Sequence, residues 1–233
     1  MRLLAGTSGF SYKEWLGEFY PQGLPTRTML AHYASRLPTV EINNTFYRMP
    51  NAAVIEGWGS QVPESFRFAI KVPRRITHSK RLRDCSDDVR LLLASLAVLG
   101  SGFGALLVQL PPFFKVDLGV LRAFTALLPQ ACRAAFEFRH DSWLVPEVFD
   151  LLAQRNFALV QSESDDGFDV LPWTANWAYL RLRRVAYTDD DLRIWLARLR
   201  AADLAEAQVF FKHEDAATGP KLALKLLAFA AAE

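Results

Sequence analysis

The segment A-A-F-E-F-R-H-D-S-W, residues 134–143, decides how we interpret the fold of this 233-residue chain. Apolar and charged side chains alternate in it, which is typical of a β-strand with two different faces. Phe136 and Phe138 share one face, and Glu137 and Arg139 share the other. An unpaired buried charge is costly, so a strand of this kind must pair its charges or use them in a site. The polar residues that follow lead into a predicted helix, which is where α/β proteins usually carry their chemistry.

Composition and charge give the broad class of protein. The chain is 51% hydrophobic and 22% charged, as is usual for globular proteins, and its net charge of +2 is too small to indicate nucleic acid or a membrane. Cys85 and Cys132 match no metal or redox spacing, so we expect reduced thiols and a cytoplasmic location. The N-terminal segment turns polar too soon for a signal peptide, and no apolar run is long enough to span a bilayer.

Seven more segments have the pattern of strands, and predicted helices alternate with them. These segments are residues 3–7, 39–43, 66–72, 105–110, 157–161, 177–183 and 207–211. Eight strands at a spacing of about 29 residues predict an α/β fold, a TIM-like (β/α)8 barrel, with residues 1–233 as a single domain. An open doubly wound sheet is the alternative, but the glycine fingerprint expected after its first strand is absent.

A barrel brings the carboxyl ends of all its strands to one mouth, so polar residues from distant parts of the chain are expected to meet there. The residues concerned are Glu41, Asn43, Lys71, His78, Gln109, Glu137, Arg139, His140, Asp165, Arg181, Lys212, His213 and Glu214. Cations are numerous among them for a protein of this net charge. They favour an anionic ligand, and the fork of arginine suits phosphate best.

Four of these residues are our candidate catalytic residues: Glu41, Glu137, His140 and Lys71. We expect Glu137 or Glu41 to act as general acid or base. The candidate substrate-binding residues are Tyr12, Trp15, Asn43, Tyr47, His78, Gln109, Arg139, Trp143, Arg181 and Lys212. Among them, the arginines together with Lys71 would hold the anion, and the tyrosines and tryptophans would stack on an apolar part of the ligand.

Other interpretations of the same residues stay open. Glu137 with Arg139 also fits a structural ion pair, and Glu41 with Asn43 fits a hydrogen-bonded interior pair. A glycosidase could use the two glutamates as acid and base, although the mouth cations favour an anionic substrate instead. No local metal-binding spacing is present and nearby cations would repel a metal ion, so no metal is predicted, and the sequence identifies no cofactor.

Five runs of the sequence, in order, resemble the YecE-like family, domain of unknown function 72. They are G-T-S-G-F-S-Y-K-E-W, V-E-I-N-N-T-F-Y-R, F-A-I-K-V-P-R-R-I-T-H, V-Q-L-P-P-F-F and F-E-F-R-H-D-S-W. The resemblance covers nearly the whole chain and implies a TIM-like barrel, but it implies no residue roles. The chain departs from the commoner family pattern in having Arg181 and Arg183 on strand seven, and Lys212, His213 and Glu214 after strand eight.

We therefore hypothesise an enzyme, a hydrolase or a lyase, that acts on a phosphate-bearing or otherwise anionic substrate at the mouth. The alternative is a non-catalytic nucleic-acid binding protein that uses the basic loop 74–83 and the mouth aromatics. A third possibility is a barrel that serves as an interaction scaffold. The expected partner is an anionic small molecule or a nucleic acid, without a membrane, and the sequence leaves the oligomeric state open.

Overall fold

The strands form one parallel sheet in the computed structural model, which describes residues 1–48, 51–165, 167, 170–213 and 215–232. The nine strands are β1 (Arg2–Ser8), β2 (Thr39–Ile42), β3 (Arg67–Lys71), β4 (Phe103–Gln109), β5 (Ala134–Glu137), β6 (Ala158–Leu159), β7 (Gln161–Glu163), β8 (Trp177–Leu182) and β9 (Glu206–Phe211). Their order in the sheet is β6-β5-β4-β3-β2-β1-β9-β8-β7. All the strand pairings in this sheet are parallel, as expected for a (β/α) barrel.

The sheet nearly closes on itself because its two edge strands, β6 and β7, are consecutive in the chain. The sequence predicted one strand at 157–161. In the structure the first part of this segment pairs with β5, and the backbone N–H of Val160 donates to the carbonyl of Phe136 at 2.9 Å. From Gln161 onward it pairs with β8 instead. Each of the eight predicted strands is therefore present, and the sixth is divided into two short strands, β6 and β7.

Helices follow most of the strands and cover the outside of the sheet. They are α1 (Met29–Ala34), α2 (Ala52–Gly59), α3 (Ser86–Leu96), α4 (Leu118–Ala126), α5 (Pro146–Gln154), α6 (Asp189–Ala201) and α7 (Thr218–Ala232). The predicted start signals act as expected: Asn51 caps α2, and Pro146 occupies the first turn of α5. Thr188 and Asp191 form the predicted capping box of α6.

Two apolar layers hold the barrel together. The larger one lies between the strands and the helices, and the smaller one fills the barrel interior. In the interior, the bulky rings of Trp177, Tyr179 and Phe210 pack in one cluster with alanines of strands across the barrel, including Ala69 and Ala135. Because β8 alternates, Trp177, Tyr179 and Arg181 form an inward-facing column, which delivers a guanidinium group to the carboxyl end of the barrel.

Two further observations bear on the class of protein. Cys85 and Cys132 are free and buried, and burial raises the pKa of the Cys132 thiol to about 11. Within the described ranges, no helix combines the length and hydrophobicity needed to cross a lipid bilayer.

Candidate active site at the carboxyl ends of the strands

Arg181 is the centre of the charged cluster at the mouth. Its Nη1 donates to Glu137 Oε2 at 2.7 Å, and its Nη2 donates to Glu41 Oε1 at 3.0 Å. The three side chains are at most 4% exposed, so one guanidinium group bridges two buried carboxylates from strands far apart in the sequence. Burial alone would lower the pKa of Arg181, but the two carboxylates outweigh it and raise that pKa. The predicted convergence of these three residues is therefore observed.

Glu41 is saturated with hydrogen bonds. Its Oε1 also accepts from Ser8 Oγ at 2.7 Å and from Asn43 Nδ2 at 2.9 Å, while its Oε2 accepts from the Tyr179 hydroxyl at 2.7 Å. Burial favours the neutral acid, but Arg181 and these donors favour the carboxylate more strongly, so the pKa of Glu41 is lowered. The same carboxylate raises the pKa of Tyr179, which burial already raises, so the phenol stays protonated as a donor.

Glu137 is held in a similar way. Gln109 Nε2 donates to its Oε2 at 2.8 Å, and Arg139 Nε lies 3.5 Å from Oε1, a distance at which the interaction is mainly electrostatic. Burial opposes ionisation, but Arg181, Arg139 and Arg183 together lower the pKa of Glu137 to about 2. Both glutamates are thus ionised at neutral pH and are poor proton donors, which disfavours the acid half of the predicted acid-or-base role and leaves the base half a prediction.

Lys71 lies at the mouth beside this charged cluster. It ends β3 and is half-buried, and its Nζ lies 4.3 Å from the ring centroid of Phe46. Burial and the positive charges of Arg181 and Arg139 lower the pKa of Lys71 to about 8, despite the opposing effect of the two glutamates. His78 packs edge-on against the same Phe46 ring at 4.9 Å, and burial with neighbouring cations, Lys71 first, lowers its pKa to about 4.

A cleft of about 650 Å³ opens beside Glu137. Arg139, Ser162 and the ring of Phe138 are among its lining residues. Ser162 Oγ also accepts from Arg183 Nη2 at 2.6 Å, so a second arginine borders this cleft. The cleft is therefore lined by the Arg139 guanidinium group and by the carboxylates of Glu137 and Asp141, and Arg183 lies behind Ser162.

Tyr12 and Asn43 line a second, smaller pocket of about 200 Å³ at the ends of β1 and β2. The Tyr12 hydroxyl donates to the backbone carbonyl of Ser8 at 2.7 Å. Because Asn43 also donates to Glu41, this pocket adjoins the charged cluster. Tyr47 is 83% exposed and packs only edge-on against Phe46 among the described rings, so its side chain is free to contact a ligand.

The prediction that Trp15 and Trp143 stack on a ligand is wrong, because both side chains are fully buried. Trp15 packs among Tyr12, Phe19 and Tyr20. Trp143 donates from its indole nitrogen to the carbonyl of Phe114 at 2.6 Å, and its ring stacks on Phe138 with a centroid distance of 4.8 Å. In each case the buried ring packs against a residue that lines a pocket: Trp15 against Tyr12, and Trp143 against Phe138. Phe138, which the sequence did not single out, is the ring that lines the cleft.

Four other predicted mouth residues make no hydrogen bond to Glu41 or Glu137 in the described part of the chain, and a fifth is not described. His140 accepts a hydrogen bond at Nδ1 from the backbone N–H of Ser142, so this nitrogen caps a short 3-10 helix and is not available for proton transfer. Lys212 follows β9 and is exposed. His213 is buried, with Nε2 against the carbonyl of Arg184, and Asp165 accepts from the backbone N–H of Val185. Glu214 lies outside the described residues.

Three of the five cations in the basic loop 74–83 form ion pairs with neighbouring acids among the described residues. Residues 75–79 form a π-helical turn in which Ile76 and Thr77 are buried. Arg75 and Lys80 both pair with Asp88, and Arg83 pairs with Asp117 at 2.7 Å. A charged surface for nucleic acid is therefore weaker here than the sequence alone indicates. In the described part of the chain, no group of three His, Cys, Asp or Glu side chains is arranged to hold a metal ion.

Three residues of the cluster were missing from the predicted site: Ser8, Tyr179 and Arg183. Tyr179 and Arg183 lie two residues before and after Arg181, so the alternation that places Arg181 inward was the signal for both. Arg183 Nη2 lies 3.9 Å from Glu137 Oε1. Ser8 carried no comparable signal, because its contact with Glu41 depends on how β1 pairs with β2.

Fold and site together define a parallel α/β barrel with a buried Glu-Arg-Glu bridge at the carboxyl ends of its strands. Residues 4–233 match the family model described as "Protein of unknown function DUF72", so the chain belongs to the DUF72 family. The family resemblance found in the sequence is thereby confirmed.

Curated relatives point to the same family. The chain is 35% identical over 117 residues to the UPF0759 protein YecE of Escherichia coli (strain K12), which covers 50% of this chain and 43% of that protein. It is 26% identical over 140 residues to the UPF0759 protein YunF of Bacillus subtilis (strain 168), covering 56% and 49%. The chain thus spans about half the length of the curated relatives it matches.

Solved structures agree with the fold. A DUF72 family protein of Thermotoga maritima MSB8 is similar with a TM-score of 0.82 and 24% identity, over 99% of this chain and 100% of that one. A DUF72 family protein of Enterococcus faecalis V583 is similar with a TM-score of 0.79 and 22% identity, over 99% and 98%. These likenesses confirm the TIM-like barrel, and at this level of identity they bear on the fold alone.

Proposed function

We propose that this protein is an enzyme that binds a phosphate-bearing or otherwise anionic substrate at the carboxyl-end mouth of its barrel. The observation that carries the proposal is the charge balance of the mouth. Two carboxylates, Glu41 and Glu137, are already bridged by Arg181, and three further cations surround them: Lys71, Arg139 and Arg183. Four cations against these two carboxylates and that of Asp141, which also lines the cleft, still leave an excess of positive charge, which a bound anion would neutralise.

The two glutamates act in this proposal as fixed anchors. Because their carboxylates hold Arg181 in place, the outer cations repel one another around a rigid centre, and an anion placed among them gains from all of them. Arg183 Nε is buried and has no hydrogen-bond acceptor among the described residues, so acceptor oxygens of a ligand would satisfy mouth donors that the protein leaves unpaired.

The test is thermal stabilisation by inorganic phosphate, measured against sodium chloride of equal ionic strength. A ligand that binds only the folded protein raises its stability by about 2.7 kcal/mol at one hundred times its dissociation constant. Arg139→Gln should weaken phosphate binding about tenfold, since it removes a guanidinium group from the cleft edge. Arg90→Gln is the matched control, because Arg90 is exposed on α3 and pairs only with Asp87 among the described residues. Equal stabilisation of both variants, or none of the wild type, would contradict the proposal.

A further inference from the structure

Lys71 differs from the arginines of the mouth in having a side chain that no acid contacts among the described residues. Among the described residues its ammonium group has no hydrogen-bond or ion-pair partner, and its Nζ rests on the face of Phe46 at 4.3 Å. Arg181, Arg139 and Arg183, in contrast, all lie within 4 Å of a glutamate oxygen. A half-buried amine of this kind is less hydrated than a surface lysine, and the carboxylates of Glu41 and Glu137 compensate only in part, because both are bridged by Arg181.

The surroundings of Lys71 combine desolvation with positive charge. The charged groups that act on it are Arg181, Arg139, Glu41 and Glu137, and the two carboxylates are already engaged with Arg181. His78, on the turn after β3, is neutral at pH 7 and adds no charge. Burial and adjacent cations are the two conditions that activate lysine amines as nucleophiles.

We infer that Lys71 is the amine nucleophile of this site and forms an imine with a carbonyl group of an anionic substrate. The inference rests on the proposed function, since the anionic group of that substrate is what Arg139 and Arg183 would hold. The neutral amine attacks the carbonyl carbon, and a C–N bond replaces the carbonyl π bond. The C–O bond then breaks as the C=N double bond forms, and the oxygen leaves as water with the two amine protons, so the step needs no oxidant, reductant or metal.

The protonation state of Lys71 makes this step accessible near neutral pH. With its pKa lowered to about 8, about one quarter of the amine is neutral at about pH 7.5, against about one in a thousand for an ordinary lysine. The matching substrate class is a small aldehyde or ketone that carries a phosphate or carboxylate group. This class combines an electrophilic carbon for Lys71 with a charge for the neighbouring guanidinium groups.

Pyridoxal 5′-phosphate, an aldehyde with a phosphate group, is a suitable probe, and pyridoxal is the matched probe without the phosphate. The protein is incubated with either aldehyde, the imine is reduced with borohydride, and the modified lysine is located by peptide mass spectrometry. We expect Lys71 to be labelled about tenfold or more faster than Lys115, which is exposed on the loop after β4. Pyridoxal should label Lys71 much more slowly, and inorganic phosphate should protect it.

Lys71→Arg keeps the positive charge but cannot form an imine, so it should lose the fast labelling, whereas Lys115→Arg should keep it. Locating the labelled lysines in the wild-type protein by peptide mass spectrometry tests the inference even if a variant folds poorly. Fast labelling of other lysines only would overturn the inference. If phosphate still stabilises that wild-type protein thermally, the proposed function survives the failure. Equal labelling of Lys71 by both aldehydes would instead overturn the anionic substrate class, and the proposed function with it.

Discussion

Replacing Arg181 with methionine tests the buried bridge most severely. The substitution keeps a long side chain on β8 but leaves Glu41 and Glu137, which are at most 3% exposed, without their shared cation. Breaking a buried ion pair by removing one partner costs about 3–5 kcal/mol. Arg181 is the first of the charges that lower the pKa of Glu137 against the effect of burial, which agrees in direction with such a loss. We therefore expect a loss of about 3–5 kcal/mol in the free energy of unfolding at pH 7.

The same substitution should change how stability depends on pH. In the wild type, the folded-state pKa of Glu137 lies below its unfolded value, so its contribution is complete above pH 4.5 and is lost as the pH falls toward about 2. Without Arg181, burial raises the pKa of both glutamates, and the folded state then takes up protons more readily than the unfolded chain. The deficit of the variant should thus be largest at neutral pH and shrink as the pH falls toward 4.

Urea unfolding followed by tryptophan fluorescence, between pH 4 and 7, measures both effects. Arg139→Gln is the matched control, because Arg139 is 38% exposed and lies 3.5 Å from the same glutamate, so its loss should cost only about 0–1 kcal/mol. Adding Glu41→Gln and Glu137→Gln to Arg181→Met should restore most of the lost stability, since no buried charge remains. If Arg181→Met costs no more than Arg139→Gln at pH 7, the buried bridge does not exist as described.

Three smaller predictions follow from single contacts. Tyr179→Phe removes one donor to Glu41 and should cost about 1–3 kcal/mol in urea unfolding; an unchanged midpoint would argue against that hydrogen bond. Thr188→Ala removes the cap of α6 and should cost about 0.5–2 kcal/mol, whereas Thr188→Ser should cost little; equal losses would refute the capping box. Because three of the five cations of the loop 74–83 are already paired with acids, single-stranded DNA should bind weakly; tight binding that falls steeply with salt would favour the nucleic-acid alternative.

Much of the fold could be predicted because each local signal had a single physical meaning. Alternation in 177–183 required one face of β8 to be inward, and the capping box at Thr188 required a helix to begin there. The division of the predicted sixth strand into β6 and β7 at Val160 had no such signal. The residues of this segment favour a strand throughout, and only the adjacent strands, β5 and β8, determine which of them each half pairs with.

The site was predictable as a location but only partly as a set of roles. Parallel topology brings Glu41, Glu137 and Arg181 to one end of the barrel, and they do meet there. In the sequence, Arg139 follows Glu137 by two residues and shares its face of the strand. The sequence therefore could not show that Arg181 lies closer to the Glu137 carboxylate than Arg139 does. Burial of Trp143 was also undecidable, because an aromatic side chain near a mouth can support the wall as readily as it can line it.

The most direct test of the anionic site is a crystal structure determined with inorganic phosphate present, compared with one grown without it. We predict phosphate density in the mouth, with oxygens within hydrogen-bond distance of Arg139 or Arg183 and close to Lys71, and with the bridge from Arg181 to both glutamates intact. A phosphate-containing crystal with no anion density in the mouth would contradict the account. So would a structure in which Arg181 turns away from the glutamates to bind the anion itself.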